Sequence, residues 1–225
     1  MVKIGHASID ERGKISGGKA GNQTGKELCI RSWYNKPWNV VVRMKIPAMR
    51  LKVADCIVKA IKNPYIGYDQ NQRNTLLNLA RIVGYNPALV KELCETDCSA
   101  LVTLACIYAG IRESSLVVSG NSATTSTLRK RLQATGAVDV FVSKEYTQKP
   151  DKLLVGDILI SEGHHTAVVV ESDNKDVIIP KESISKIAHD VIDGKYGMGA
   201  ERKKRLAEAG YDYKEVQDEV NRLLK

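Results

Sequence analysis

Polar and apolar residues alternate at the start of the chain, where Val2, Ile4, His6 and Ser8 share one face of an extended segment. A period of two marks a strand buried on one side. The runs from Glu27 to Tyr34 and from Asn39 to Lys45 predict two further strands. Between the first two strands, Gly17-Gly18-Lys19-Ala20-Gly21-Asn22-Gln23-Thr24-Gly25-Lys26 has the outline of a phosphate-binding loop. Ala20 stands where that pattern needs glycine, Glu27 where it needs Ser or Thr, and no helix follows to aim its amides at a phosphate. The segment reads as a glycine-rich turn.

Beyond Lys45 the period lengthens. Leu51, Ala54, Ile57, Val58 and Ile61 recur at helical spacing between Ala48 and Asn63, and Asn63-Pro64 stops the helix, because the proline ring disfavours helical backbone in the residue before it. A second helix is predicted over Gln70 to Val83, ending at Gly84, and a third opens at Cys98 and runs to a left-handed cap at Gly110. A short helix over Thr127 to Thr135 precedes β-type runs at Val138 to Val142, Asp157 to Ile160 and Thr166 to Val170. Helices gathered ahead of neighbouring strands predict an α+β fold with an antiparallel sheet, not a doubly wound one.

After Pro180 only helical periodicity is left. Ile184, Ile187, Ala188, Val191 and Ile192 form one stripe, Ala200 to Ala209 makes a helix closed by Gly210, and Tyr213, Val216, Val220, Leu223 and Leu224 line a third. The expected division is a domain over 1–179 followed by a three-helix module over 184–225. A unit that small is marginal alone and usually binds something or repeats.

Composition narrows the class. The chain has 225 residues and is 43% hydrophobic, enough for one packed domain with an appendage. No stretch approaches the roughly 20 apolar residues of a membrane span, and Met1-Val2-Lys3-Ile4-Gly5-His6 lacks the build of a signal peptide. The expectation is synthesis in the cytoplasm without a leader and no membrane insertion. Five irregularly spaced cysteines predict free thiols, not a disulfide framework. The net charge of +8 favours anionic partners, whether nucleic acid, lipid surface or acidic cell wall, without choosing among them.

Asp97-Cys98-Ser99 changes that picture, because it sets a cysteine at the first turn of the apolar helix Leu101 to Ile111. The unpaired amides and positive dipole end there predict a thiol pKa below the ordinary value. Gly163-His164-His165-Thr166 then opens a strand and offers a base. The two histidines point to opposite faces of that strand, so only one of His164 and His165 meets Cys98. Cys29, Cys56, Cys94 and Cys106 lack such a context and are assigned to packing. A zinc site from Cys94, Cys98, His164 and His165 is rejected, since adjacent strand histidines face apart and the cysteine spacing is not that of a knuckle; no metal and no cofactor are expected.

The segments Glu95 to Val102, Val155-Gly156-Asp157-Ile158-Leu159 and Gly163 to Val170 resemble the NlpC-type papain-like peptidases that cut bacterial peptidoglycan. That resemblance implies a papain-like antiparallel sheet packed on helices, with Cys98 as nucleophile and His165 as base. It also implies a third polar residue that orients the base, often in a His-Ala-Ser context. Here Gly5-His6-Ala7-Ser8-Ile9 supplies that context at the wrong end, and the stretch through Asn22 to Glu27 and Arg31 to Trp38 looks like the closing strands of related phage amidases. The implied arrangement is a circular permutation with its junction near Arg43 to Pro47 and His6 as orienting residue, Glu171 or Asp173 being the fallbacks. Tyr65 or Tyr68 would assist the oxyanion, and Asp97 and Ser99 flank the nucleophile as substrate-side candidates.

Gly194-Lys195-Tyr196-Gly197-Met198-Gly199, Glu201 to Leu206, Ala209 to Tyr213 and Val216 to Asn221 resemble the CW-seven cell-wall-binding repeat. That implies wall contact through Arg202, Arg205 and Tyr211. Together the resemblances imply a phage endolysin, made in the host cytoplasm and acting on peptidoglycan after release. Its partner is then peptidoglycan and not nucleic acid, with a homodimer as a way to gain a second binding module. An acyltransferase sharing the thioester chemistry and a catalytically inert wall-binding protein are the alternatives. The bond cut, amidase or endopeptidase, stays open.

Overall fold

A computed structural model describes residues 1–174, 184–209 and 211–224. The chain divides into two compact units, the larger comprising Met1–Lys45 and Met49–Asn174 and the smaller C-terminal. The boundary expected at 179 falls outside the described residues. Among the described residues, no helix is long and apolar enough to cross a membrane.

In the larger unit the strands are β1 (Lys3–Ala7), β2 (Leu28–Ser32), β3 (Val40–Met44), β4 (Ile66–Tyr68), β5 (Cys94–Thr96), β6 (Val117–Val118), β7 (Asn121–Ser122), β8 (Val138–Phe141), β9 (Ile158–Ser161) and β10 (His165–Glu171). The helices are α1 (Pro47–Lys62), α2 (Thr75–Ile82), α3 (Cys98–Tyr108), α4 (Glu113–Leu116), α5 (Leu128–Ala134) and α6 (Lys144–Thr147). Six strands form one sheet in the order β2-β1-β10-β9-β3-β8, every pairing antiparallel. The fold is α+β, as the order of periodicities predicts. The separate parallel pair of β4 with β5 has no counterpart in the sequence pattern: each has three residues, too few for an alternation to register. α2 starts at Thr75, later than the expected Gln70, because Asp69 ties the Asn71 and Gln72 amides into a turn at 2.6 and 3.1 Å.

The sheet has two apolar faces. Val40, Val42, Val168 and Val170 join Val53, Ile57, Leu101 and Leu104 of α1 and α3 in the main core. Ile4, Val41, Leu159, Ala167 and Val169 pack on the other face with Trp38, which is 2% exposed. Burial on both sides explains why β10 reads as a continuous apolar run and not as an alternation. In the smaller unit, α7 (Ile184–Ile192), α8 (Gly199–Glu208) and α9 (Tyr213–Leu223) close over Ile187, Val191, Leu206, Tyr211, Val216 and Val220. Asp212 caps α9 by accepting the Glu215 amide at 2.9 Å.

The turn into β9 is tight. Gly156 has φ +87°, and a Cβ there would stand 2.0 Å from the Arg50 carbonyl oxygen and 2.6 Å from its carbonyl carbon. Its amide donates to Val169 O at 2.7 Å, and buried Asp157 next to it holds the Arg43 guanidinium at 2.7 and 2.6 Å. Any side chain must therefore push the β9 turn away from the α1 backbone. Gly156→Ala is expected to lower the unfolding free energy by about 2–4 kcal/mol in urea titration; a loss below about 0.5 kcal/mol would show that the contact is not tight.

Candidate active site

Cys98 is the first residue of α3. The preceding Asp97 has extended backbone, and its carboxylate accepts the Ala100 amide at 2.7 Å, an N-cap that fixes where the helix begins. Arg73 holds that carboxylate from outside the helix, donating through Nε to Oδ2 at 2.5 Å and through Nη2 to Oδ1 at 3.1 Å. The same guanidinium donates to Ser99 Oγ at 2.8 Å and to the carbonyls of Ser122 and Ala123 at 3.0 and 2.8 Å. Asp97 and Ser99, expected on the substrate side, are thus committed to the helix start.

β10 begins at His165, and the amide of the next residue, Thr166, lies near enough to the Cys98 sulfur to favour its thiolate form. The thiol sits at the mouth of β10, against its backbone. β1 lies on the other edge of β10, with Ile4 opposite Val169, and this brings His6 Nδ1 to 2.8 Å from His165 Nε2, both rings buried. The other nitrogen of His6 meets Cys29 Sγ at 3.4 Å, because Cys29 faces His6 directly in the β1–β2 register. The Trp38 indole stacks on His165 with centroids 6.0 Å apart and planes 29° apart, closing one side of the pair to water. The line from Cys29 through His6 to His165 therefore draws on β2, β1 and β10.

The remaining candidates separate. Tyr68 is buried, and its phenol stands close enough to Cys98 that thiolate charge there would oppose its ionisation. Gln70 Nε2 donates to Tyr68 Oη at 3.2 Å. Tyr65 is 41% exposed, and its carbonyl accepts from Cys94. His164 is exposed at the turn before β10. Glu171 pairs with Lys3 at 2.7 Å and Asp173 with the Met1 amine, so both fallback carboxylates are engaged elsewhere. Among the described residues, no group of three His, Cys, Asp or Glu is placed to hold a metal ion.

The electrostatics reverse one expectation. Burial pushes the Cys98 thiol up to about 12, the Asp97 charge adds to that, and the Thr166 and Ser99 amides and Arg73 only partly oppose it. The helix end does not lower this thiol, because desolvation outweighs the amides that face it and the Asp97 carboxylate adds negative charge beside it. Burial likewise lowers His165 to about 3, helped by His6, Lys36 and Arg31, and lowers His6 to about 4, helped by Arg31 and Lys36. At neutral pH the resting groups are an uncharged thiol and two uncharged imidazoles.

Arg73, Cys29 and the stacking of Trp38 are not legible from sequence. Arg73 lies 24 residues from Asp97 in a polar turn with no periodicity, and Cys29 acquires its partner only through the strand register. In the smaller unit, Arg202 donates to Gly197 O at 3.0 Å and Gln217 Oε1 at 3.1 Å, and Arg205 to Glu201 at 2.5 Å and Lys195 O at 3.3 Å. Tyr211, expected as a wall contact, is 9% exposed and belongs to that unit's core.

Residues 4–176 match the family model described as an endolysin-like domain, and residues 185–224 match the CW_7 repeat. No curated protein and no solved structure matches the chain.

Three residues before the thiol, Glu95 is fully buried, and neither carboxylate oxygen has a hydrogen-bond partner among the described residues. Burial first, then the charges of Asp69, Glu11 and Asp10, push it up to about 7. A carboxyl raised on folding keeps its proton in the folded state while the unfolded chain releases it, so stability falls as pH rises from the ordinary 4.5 towards 7. Glu95→Gln removes that dependence. Its melting temperature relative to wild type is expected to move in its favour between pH 5 and pH 8; a constant difference would show that Glu95 is not held protonated.

Proposed function

Because the chain belongs to the endolysin-like domain family and carries a CW_7 repeat, we propose that it hydrolyses an amide bond of the peptidoglycan stem peptide by cysteine chemistry. The observation that supports this most is the 2.8 Å contact of His6 Nδ1 with His165 Nε2 at the start of β10, the strand whose Thr166 amide borders Cys98. In the tautomer that this reaction needs, His165 donates Nε2–H to His6 Nδ1 and leaves its own Nδ1 bare for the Cys98 proton. His6 then carries its proton on Nε2, where Cys29 Sγ accepts it.

With thiol and imidazole both uncharged at rest, proton transfer accompanies attack. Cys98 gives its proton to His165 as the sulfur bonds to the scissile carbonyl carbon. The Cys98 amide and the Tyr68 hydroxyl hold the oxyanion; Gln70 donates to the Tyr68 oxygen, which leaves the phenolic proton free for that purpose. His165 passes its proton to the departing amine as the C–N bond breaks, then takes one from water, whose oxygen displaces the thiolate from the thioester. Throughout, His6 accepts from His165 and fixes its tautomer and orientation, while Trp38 keeps the pair dry.

The sheet order supports the permutation as well. β1 lies beside β10 as though it followed it in sequence, which is where a displaced closing strand belongs. The CW_7 repeat favours hydrolysis at the wall over acyl transfer to lipid, since tethering at an insoluble polymer raises the local concentration of enzyme at its bonds.

Cys98→Ala is expected to lower fragment release from purified walls by about a thousandfold or more while wall sedimentation still carries the protein down. Mass spectrometry of the fragments identifies the bond, free lactyl groups marking an amidase, and new amino termini with the lactyl amide intact an endopeptidase. A Cys98→Ala variant that still clears walls ends the nucleophile assignment. His6→Ala is expected to cost roughly a hundredfold in kcat with the fold intact by circular dichroism; an unchanged kcat would remove His6 from the mechanism.

A further inference from the structure

A cleft of about 470 Å³ is lined by Lys36, Pro37, Ser161 and His164. Ser161 lies directly opposite His165 in the β9–β10 register, and Pro37 precedes the tryptophan stacked on that ring. The cleft therefore adjoins the imidazole used in the proposed reaction. None of its lining residues is acidic. Lys36 is half-buried and forms no ion pair among the described residues. Arg31 adds a second positive charge from β2, its guanidinium carried over the Tyr34 ring at 4.9 Å.

Both cations act on the buried histidines, and each contributes to holding His6 and His165 uncharged. A cleft lined by a cation and no carboxylate attracts an anion, most strongly where protein walls exclude water. A stem peptide carries one at a suitable place. Its γ-linked glutamate leaves an α-carboxylate outside the backbone, within a residue or two of the amide bonds that this class of enzyme can reach. We propose that the cleft is the subsite for that free carboxylate, with Lys36 supplying the charge and Ser161 and His164 the flanking hydrogen bonds. The inference rests on the hydrolase reading above. Its consequence for the chemistry is that a seated carboxylate offsets the positive field around His165, so the base is strengthened only when substrate is present.

The test uses the full chain and two soluble muramyl peptides that differ at one group, D-glutamate in one and its α-carboxamide in the other. Wild type is expected to favour the carboxylate by roughly tenfold in kcat/KM, and to bind it tighter by a similar factor in calorimetry, less so as salt rises. The preference should fall to about one in Lys36→Met and persist in Lys36→Arg, which keeps the charge. Equal cleavage of the two peptides by wild type, or an undiminished preference in Lys36→Met, overturns the subsite and leaves the hydrolase reading standing. Carboxylate-dependent, Lys36-dependent binding of peptides that are never cut does the reverse.

Discussion

The pairing of β1 with β10 is the constraint on which the rest of the candidate site depends. It joins the first residues of the domain to its last strand, and it is the reason His6 meets His165 at all, since 159 positions separate them in sequence. Gly5 makes it possible. A Cβ at that position would come within 2.6 Å of Ile57 Cγ2 and 3.0 Å of Ile61 Cδ1 on α1, so a larger residue would force the strand and the helix apart. The ladder itself supplies the precision. Strand partners are fixed by hydrogen bonds at a spacing of a few ångströms, and a slip of one residue would turn His6 to the helix-packed face and bring Gly5 or Ala7 into its place.

Desolvation then sets the chemical character of the line. A helix N-terminus would ordinarily favour thiolate, yet the Asp97 carboxylate that caps the Ala100 amide sets a negative charge beside the sulfur and works against the dipole. The thiol is left with Thr166 and Ser99 amides against nearly complete burial. An uncharged resting site costs the fold less than a buried ion pair would, because neither sulfur nor ring must be stripped of water in a charged state. On the proposed reaction it also makes charge appear only as the bond is attacked, where preorganised donors have the most effect.

Much of this is legible in the sequence, and what is not has a common cause. Periodicity gives α1, α3 and the strands of the main sheet to within a residue or two, and the Asp-Cys-Ser helix start places Cys98 correctly at the first position of α3. Alternation says that only one of His164 and His165 can face the site, the resemblance picks His165, and His165 is buried where His164 is exposed. Short elements escape: β4 and β5 carry Tyr68 and lead into Asp97, but three residues do not make a pattern. So does every partner fixed by tertiary contact alone, among them Arg73 on Asp97, Cys29 on His6 and Trp38 on His165. Each requires knowing which strand lies next to which. Tyr211 fails in a different way, since a tyrosine after a helix-ending glycine looks the same in sequence whether it turns inward or outward.

Cys29 passes for packing in the sequence, yet on the proposed reaction its contact with His6 would carry a chemical role. Two linked imidazoles share one proton between facing nitrogens, and either ring can be the donor. What decides is the outer nitrogen of His6. A thiol beside it is a weak donor, and burial raises the Cys29 pKa, so it does not become a charged acceptor. Such a neighbour does little to force a hydrogen bond onto His6 Nε2 and leaves the proton there, with Nδ1 open to His165. A hydroxyl in its place would be a stronger donor and would pull towards the opposite tautomer. On the proposed reaction, sulfur at position 29 thus suits the direction in which the pair would have to point for His165 to present a bare nitrogen to Cys98.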